Sequence, residues 1–136
     1  MSDIILALKP KWAHLILEGK KTTEVRRILP KNLSPRDKCY LYCRGAIWGY
    51  AVVKNIVTVD PNDALDVMSI SDIFSKYACL ETDDMGHYLF GGKRPGIIIF
   101  ESVRKYDKPV PHEGAYPQNF VYVDKQPKPE QTKLAL

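Results

Sequence analysis

Lys21, Glu24 and Arg26 crowd into one short stretch of the chain, with a single carboxylate set between two cations. Side chains alternate along an extended strand, so Thr22, Glu24 and Arg26 share one face while Thr23, Val25 and Arg27 share the other. Lys21 precedes that strand at a turn, where its flexible stem can fold over the Glu24 and Arg26 face. Such a trio can bind phosphate through Lys21 and Arg26, with Glu24 orienting them or accepting a hydrogen bond from a base or ribose. It can also perform acid/base chemistry, since a lysine of depressed pKa beside a carboxylate activates water or a hydroxyl. A Glu24 to Arg26 ion pair that only braces the fold would use the same residues.

Aromatic residues are interleaved with the bases that follow. Tyr40 and Tyr42 share one face of a strand, and Trp48 and Tyr50 share one face of the next. Stacking platforms for bases have this pattern, and so do ordinary core positions, which are the commoner use of aromatics at this spacing. Trp12 falls on the apolar stripe of the first helix and is expected in the core. No metal site is expected: Cys39 and Cys43 would lie about 13 Å apart along a strand, too far for one zinc ion. His87 follows Asp83 by one helical turn, a spacing suited to a surface hydrogen bond. Gly91 and Gly92 before Lys93 lack the rest of a phosphate loop and read as a helix stop, so no cofactor is expected.

These residues must be held by regular elements. Ile4 to Lys9 is an apolar run ended by Pro10, which forces its predecessor out of helical geometry. Pro10 then opens a helix with Trp12, Leu15 and Ile16 at helical spacing, stopped by Gly19. Thr22 to Ile28 reads as a second strand, and Pro30 and Pro35 bracket a loop. Tyr40 to Cys43 and Ile47 to Val59 read as strands joined by a hairpin at Arg44 and Gly45. Asp60 followed by Pro61 reads as a helix-start signal, and Ser71 and Thr82 are expected to cap two further short helices, Asp72 to Ala78 and Asp83 to Phe90. Ile97 to Tyr106 and Phe120 to Val123 return to strand character. Five or six short strands with one early helix and a helical insert predict a mixed, β-rich α/β fold. Closing into a small barrel would hide the strand edges.

With 136 residues, 45% of them apolar and 26% charged, the chain suits one globular domain, placed at residues 1–124. Residues 125–136 read as a flexible tail, because Lys125 to Lys133 offers two prolines and no apolar side chain. No apolar run approaches the roughly 20 residues of a membrane-spanning helix. The N-terminus does not resemble a signal peptide, and three cysteines without CxxC spacing suit reduced thiols, so a cytoplasmic location is expected. Charge is segregated: residues 9–54 carry eleven bases against three acids, while residues 55–92 carry one base against seven acids. A basic face of this kind would attract a polyanion, although two ordinary solvated surfaces would give the same counts.

Gly19, Lys21, Glu24 and Arg26 together satisfy the pattern G-x-K-x-x-E-x-R, and in this it resembles the ASCH domain family of the PUA-like superfamily. Lys9, Pro10 and the helix from Trp12 to Leu17 resemble that family's opening strand and helix. The segments Tyr88 to Gly91 and Tyr116 to Val123 resemble its later segments more loosely. The resemblance implies a PUA-like barrel with a cleft beside the motif and a ligand that is RNA or a modified nucleotide. Relatives include RNA-binding coactivator modules, ribonucleases, and a branch that hydrolyses the acetyl amide of N4-acetylcytidine through a Lys, Thr and Glu constellation. In that branch the position of Glu24 is the threonine nucleophile; here it is glutamate. The candidate binding residues are therefore Lys9, Lys20, Lys21, Thr22, Glu24, Arg26, Tyr40 and Tyr42, with Lys21 and Glu24 as catalytic residues under the hydrolase alternative. A third alternative is a protein partner docking on the acidic insert, residues 60–84.

Overall fold

The computed structural model describes residues 2–112 and 119–123. The expected tail lies outside them. In chain order the elements are β1 (Ile4–Ala7), α1 (Pro10–Leu17), β2 (Thr23–Arg26), β3 (Lys38–Cys43), β4 (Ala46–Thr58), α2 (Ala64–Ala78), α3 (Thr82–Leu89), β5 (Gly96–Pro111) and β6 (Phe120–Tyr122). The fold is the expected strand-rich α/β mixture, with its sheet curled into a half-barrel.

The six strands lie in the order β2-β5-β4-β3-β1-β6. All pairings are antiparallel except β1 with β3, which run parallel because α1 and β2 intervene between them. The long β4 and β5 carry the curvature. Their register shifts between Ile47 and Gly49 and again between Val52 and Asn55, and such irregularities bend a strand and increase its twist. At Gly49 the backbones approach so closely that a Cβ would stand 2.2 Å from the Arg104 carbonyl oxygen, so only glycine fits that bend.

Both faces of β1 and β3 are buried, which is why these strands read as continuous apolar runs rather than clean alternations. Inside the curl, Ile4, Leu6, Cys39, Leu41, Val53 and Phe100 pack against Ile16 of α1. On the far side of β2 and β5, Val25 and Ile97 pack against Val67, Ala78, Met85 and Leu89 of α2 and α3. Ile5, Tyr40, Tyr42 and Ile47 form a third cluster on the opposite face of β1 and β3.

The helical insert departs from expectation at its start. Asp63, rather than Ser71 or the Asp60–Pro61 signal just before it, is the N-cap of the first insert helix: its carboxylate accepts from the Leu65 and Asp66 N–H groups, and α2 starts eight residues before Asp72. Ser71 lies inside α2, buried, with its hydroxyl donating to the Val67 carbonyl. Thr82 is the first residue of α3 rather than its cap, and its hydroxyl meets Ser75 at 3.1 Å. Among the described residues no helix is long and apolar enough to cross a membrane.

Candidate functional site

Helix α1 ends on Gly19 in the left-handed conformation (φ 76°), and the Lys20 and Lys21 N–H groups both return to the Leu15 carbonyl. This tight turn directs the Lys21 side chain inward, to 2% exposure. Its ammonium meets the carbonyl of Ala78 at the C-terminus of α2, where unpaired carbonyls and the helix dipole favour a cation. It also lies 3.5 Å from Glu24 Oε1 and 4.9 Å from the centre of the Trp12 ring. Desolvation pulls the Lys21 pKa below the usual lysine value, and the Glu24 carboxylate opposes that shift.

Glu24 and Arg26 are both buried on β2. Glu24 Oε2 accepts from Arg26 Nε at 2.9 Å and from Nη2 at 2.7 Å, a fork-shaped pair on one oxygen. Arg26 Nη2 also donates to the Ala7 carbonyl at 2.8 Å, and Nη1 donates to Asn119 Oδ1. A guanidinium has five N–H donors, so one Nη1 proton has no partner among the described residues.

The trio forms one wall of a cavity of about 570 Å³. Trp12 from α1, Tyr42 from β3 and Tyr88 from α3 supply aromatic surface, and Lys9 and Asp84 complete the polar lining. The cavity thus sets three cationic side chains against two carboxylates beside three aromatic rings. A volume of several hundred cubic ångströms with apolar walls and a few convergent polar groups has the dimensions of a small-ligand site.

The structure distributes the sequence-derived candidates unevenly. It brings Lys9, Lys21, Glu24, Arg26 and Tyr42 to the cavity. Lys20 points to solvent and pairs with Glu18 at 3.2 Å. Thr22 lines a separate hollow with Gly19, Phe100 and Glu101. Tyr40 packs in the third core cluster, its ring 5.8 Å from that of Tyr50.

Trp12, expected in the core, faces the cavity instead, because the first turn of α1 stands at its mouth while Ala13 and Ile16 take the core. Tyr88, Asp84 and Asn119 were not legible as site residues. Each comes from a segment far from the motif in sequence, and the only signals were the loose family resemblances of the Tyr88 to Gly91 stretch and of the Tyr116 to Val123 stretch that holds Asn119. Cys39 is buried and its thiol is held protonated by desolvation, and no cluster of metal-ligating side chains occurs among the described residues.

Residues 6–123 match the family model of the ASCH domain. Among solved structures, the crystal structure of ASCH from Zymomonas mobilis superposes with a TM-score of 0.74 at 18% identity, covering 93% of this chain and 97% of that one. A tyrosine-to-phenylalanine mutant of that protein gives a TM-score of 0.78 at 20% identity, covering 99% of this chain and 97% of that one. A serine-to-alanine mutant gives 0.77 at 21% identity, covering 98% and 94%. No curated protein sequence matches.

Proposed function

This chain belongs to the ASCH domain family, and from that premise we propose that it binds RNA by taking one unpaired nucleotide into the cavity beside Lys21, Glu24 and Arg26. The observation that carries the reading is the joint lining of that cavity by aromatic rings and cations. Unstacked bases are recognised by stacking on aromatic side chains, and phosphates by positively charged ones.

The roles divide by availability. Lys21 is committed to Ala78, Glu24 and the Trp12 ring, so it braces the wall. Arg26 keeps one Nη1 proton without a partner among the described residues, and Lys9 is exposed at the rim, so these two are the phosphate contacts. Trp12 and Tyr88 are the stacking surfaces. A titration of single-stranded RNA tests this. Binding should weaken with salt at a log-log slope of about −0.7 per neutralised phosphate. Trp12→Leu or Tyr88→Leu should cost about 1–3 kcal/mol of affinity, the usual value of one stacked base. No RNA binding at low salt, or binding indifferent to both substitutions, would remove the reading.

One observation favours a second reading, hydrolysis of the bound nucleotide. A buried lysine of lowered pKa stands beside a carboxylate at the cavity wall. Assays for RNA cleavage and for acetate release from N4-acetylcytidine separate the two. Under the hydrolase reading, Glu24→Gln should lower turnover by roughly 10²- to 10⁴-fold with affinity retained.

A further inference from the structure

A second hollow, about 500 Å³, lies beside the cavity. The two share Arg26 and Tyr88, and the second adds Arg27, Ile28, Gly91, Lys93 and Asn119. Among the described residues its polar side chains are two arginines, a lysine, a tyrosine and an amide, with no carboxylate. Arg27 and Lys93 are exposed, and neither makes an ion pair or side-chain hydrogen bond among the described residues. Their charges are therefore uncompensated within the described protein. The hollow on the other side of Lys21 differs, since there the Lys21 cation is outnumbered by the carboxylates of Glu18 and Glu101, with Thr22, Ser102 and apolar side chains completing the lining. A polyanion leaving the cavity meets cations in one direction and carboxylates in the other.

We infer that the Arg26–Arg27–Lys93 hollow is a subsite for the phosphates flanking the nucleotide held in the cavity, so that the ligand is a strand of single-stranded RNA rather than a free nucleoside or nucleotide. The inference rests on the nucleotide-binding reading above and adds a direction to it. The strand exits over Tyr88 and Asn119 toward Lys93, and the face carrying Thr22 and Glu101 stays bare. Arg27 comes immediately after the end of β2 and is exposed, so one short segment supplies both the phosphate contact inside the cavity and the next one outside it. Lys93, just past the end of α3, supplies the other bank.

The test measures binding of a 5′-ribonucleoside monophosphate mixture and of a random single-stranded RNA tetramer to wild type, Arg27→Glu, Lys93→Glu and the control Lys54→Glu. Lys54 is an exposed cation on β4 that lines none of these hollows. The tetramer should bind wild type more tightly than the monophosphates, with a steeper salt dependence. Each subsite reversal should weaken tetramer binding and reduce its salt slope by about 0.7, leaving monophosphate affinity unchanged. The control should leave both unchanged. Equal wild-type affinity for monophosphates and tetramer would overturn the subsite while leaving the cavity reading intact, as would an equal loss from Lys54→Glu. Failure of both ligands to bind would overturn both readings together.

Discussion

Lys21 shows how one side chain is fixed by three kinds of partner: a helix-end carbonyl, a carboxylate and an aromatic face. Burying an ammonium costs several kcal/mol unless such partners offset it. The lowered pKa says that desolvation outweighs them. The consequence for stability has a definite sign. Below the folded-state pKa both folded and unfolded chains hold the proton, and the cost of burying the charge is fully present. As pH rises through the folded pKa toward the model value of 10.5, the folded protein sheds its proton first, so stability climbs across that window. Urea denaturation of wild type and Lys21→Met between neutral pH and about pH 10.5 should therefore show the stability difference shifting in favour of wild type with rising pH. Tyr106, whose pKa burial pushes up to about 12, acts with the opposite sign, but equally in both proteins, and cancels in the difference. A difference flat with pH would mean that Lys21 titrates normally. The trio itself was legible in the sequence because its members fall within one strand and the turn before it, where the period of two governs direction. Its aromatic complement was not, since the position of Trp12 depends on where α1 meets the sheet, and Tyr88 is brought in by an insert whose docking no local pattern encodes.

Among the elements, α2 tests the sequence reading most directly. Asp60, Asp63 and Asp66 give the insert much of its acidity, and each has a local task. Asp63 caps α2, Asp66 accepts from the Asp60 N–H, and Asp60 accepts from the Asn62 N–H. Acidic groups at a helix start also complement its dipole, so this part of the charge segregation follows from helix initiation. The expectation that Ser71 caps a shorter helix failed for a physical reason. A serine inside a helix can satisfy its hydroxyl on the carbonyl four residues back, and from sequence this cannot be told from a capping serine. The two assignments predict different mutants. Asp63→Ala should lower stability by about 1 kcal/mol, the ordinary cost of losing an N-cap, whereas Ser71→Ala, which removes donor and needs no new partner, should change it by less than about 0.5 kcal/mol. Urea midpoints at constant m-value decide, and a larger loss at Ser71 than at Asp63 would reverse the assignment.

For the molecule as a whole, the question is how an open sheet avoids behaving as one. The expected barrel is a curled half-barrel whose edge strands, β2 and β6, do not pair with each other. The helices α2 and α3 cover β2, and β6 is three residues long, too short to offer a template to another chain. Arg26 makes the remaining connection. From β2 its guanidinium reaches the Ala7 carbonyl at the end of β1 and the Asn119 side chain just before β6, so one side chain spans the gap that backbone hydrogen bonds would fill in a closed barrel. That double duty, wall of the cavity and tie across the sheet, explains why an arginine is required: a lysine has the charge but lacks the planar fork. Arg26→Lys should destabilise the protein by about 1.5–3 kcal/mol, the value of a hydrogen bond to a charged group. The loss should be uneven. The Ala7 and Val123 amides, which bond to Asn119 and Asp3 across the β1–β6 pair, should exchange with solvent faster, while the Ala51 amide, buried in the centre of β4, should keep its relative protection. Acceleration confined to the β1–β6 side means that the guanidinium holds that edge in place; uniform acceleration at all three amides would mean that Arg26 contributes only to global stability and that the curl is maintained by the β4–β5 irregularities alone.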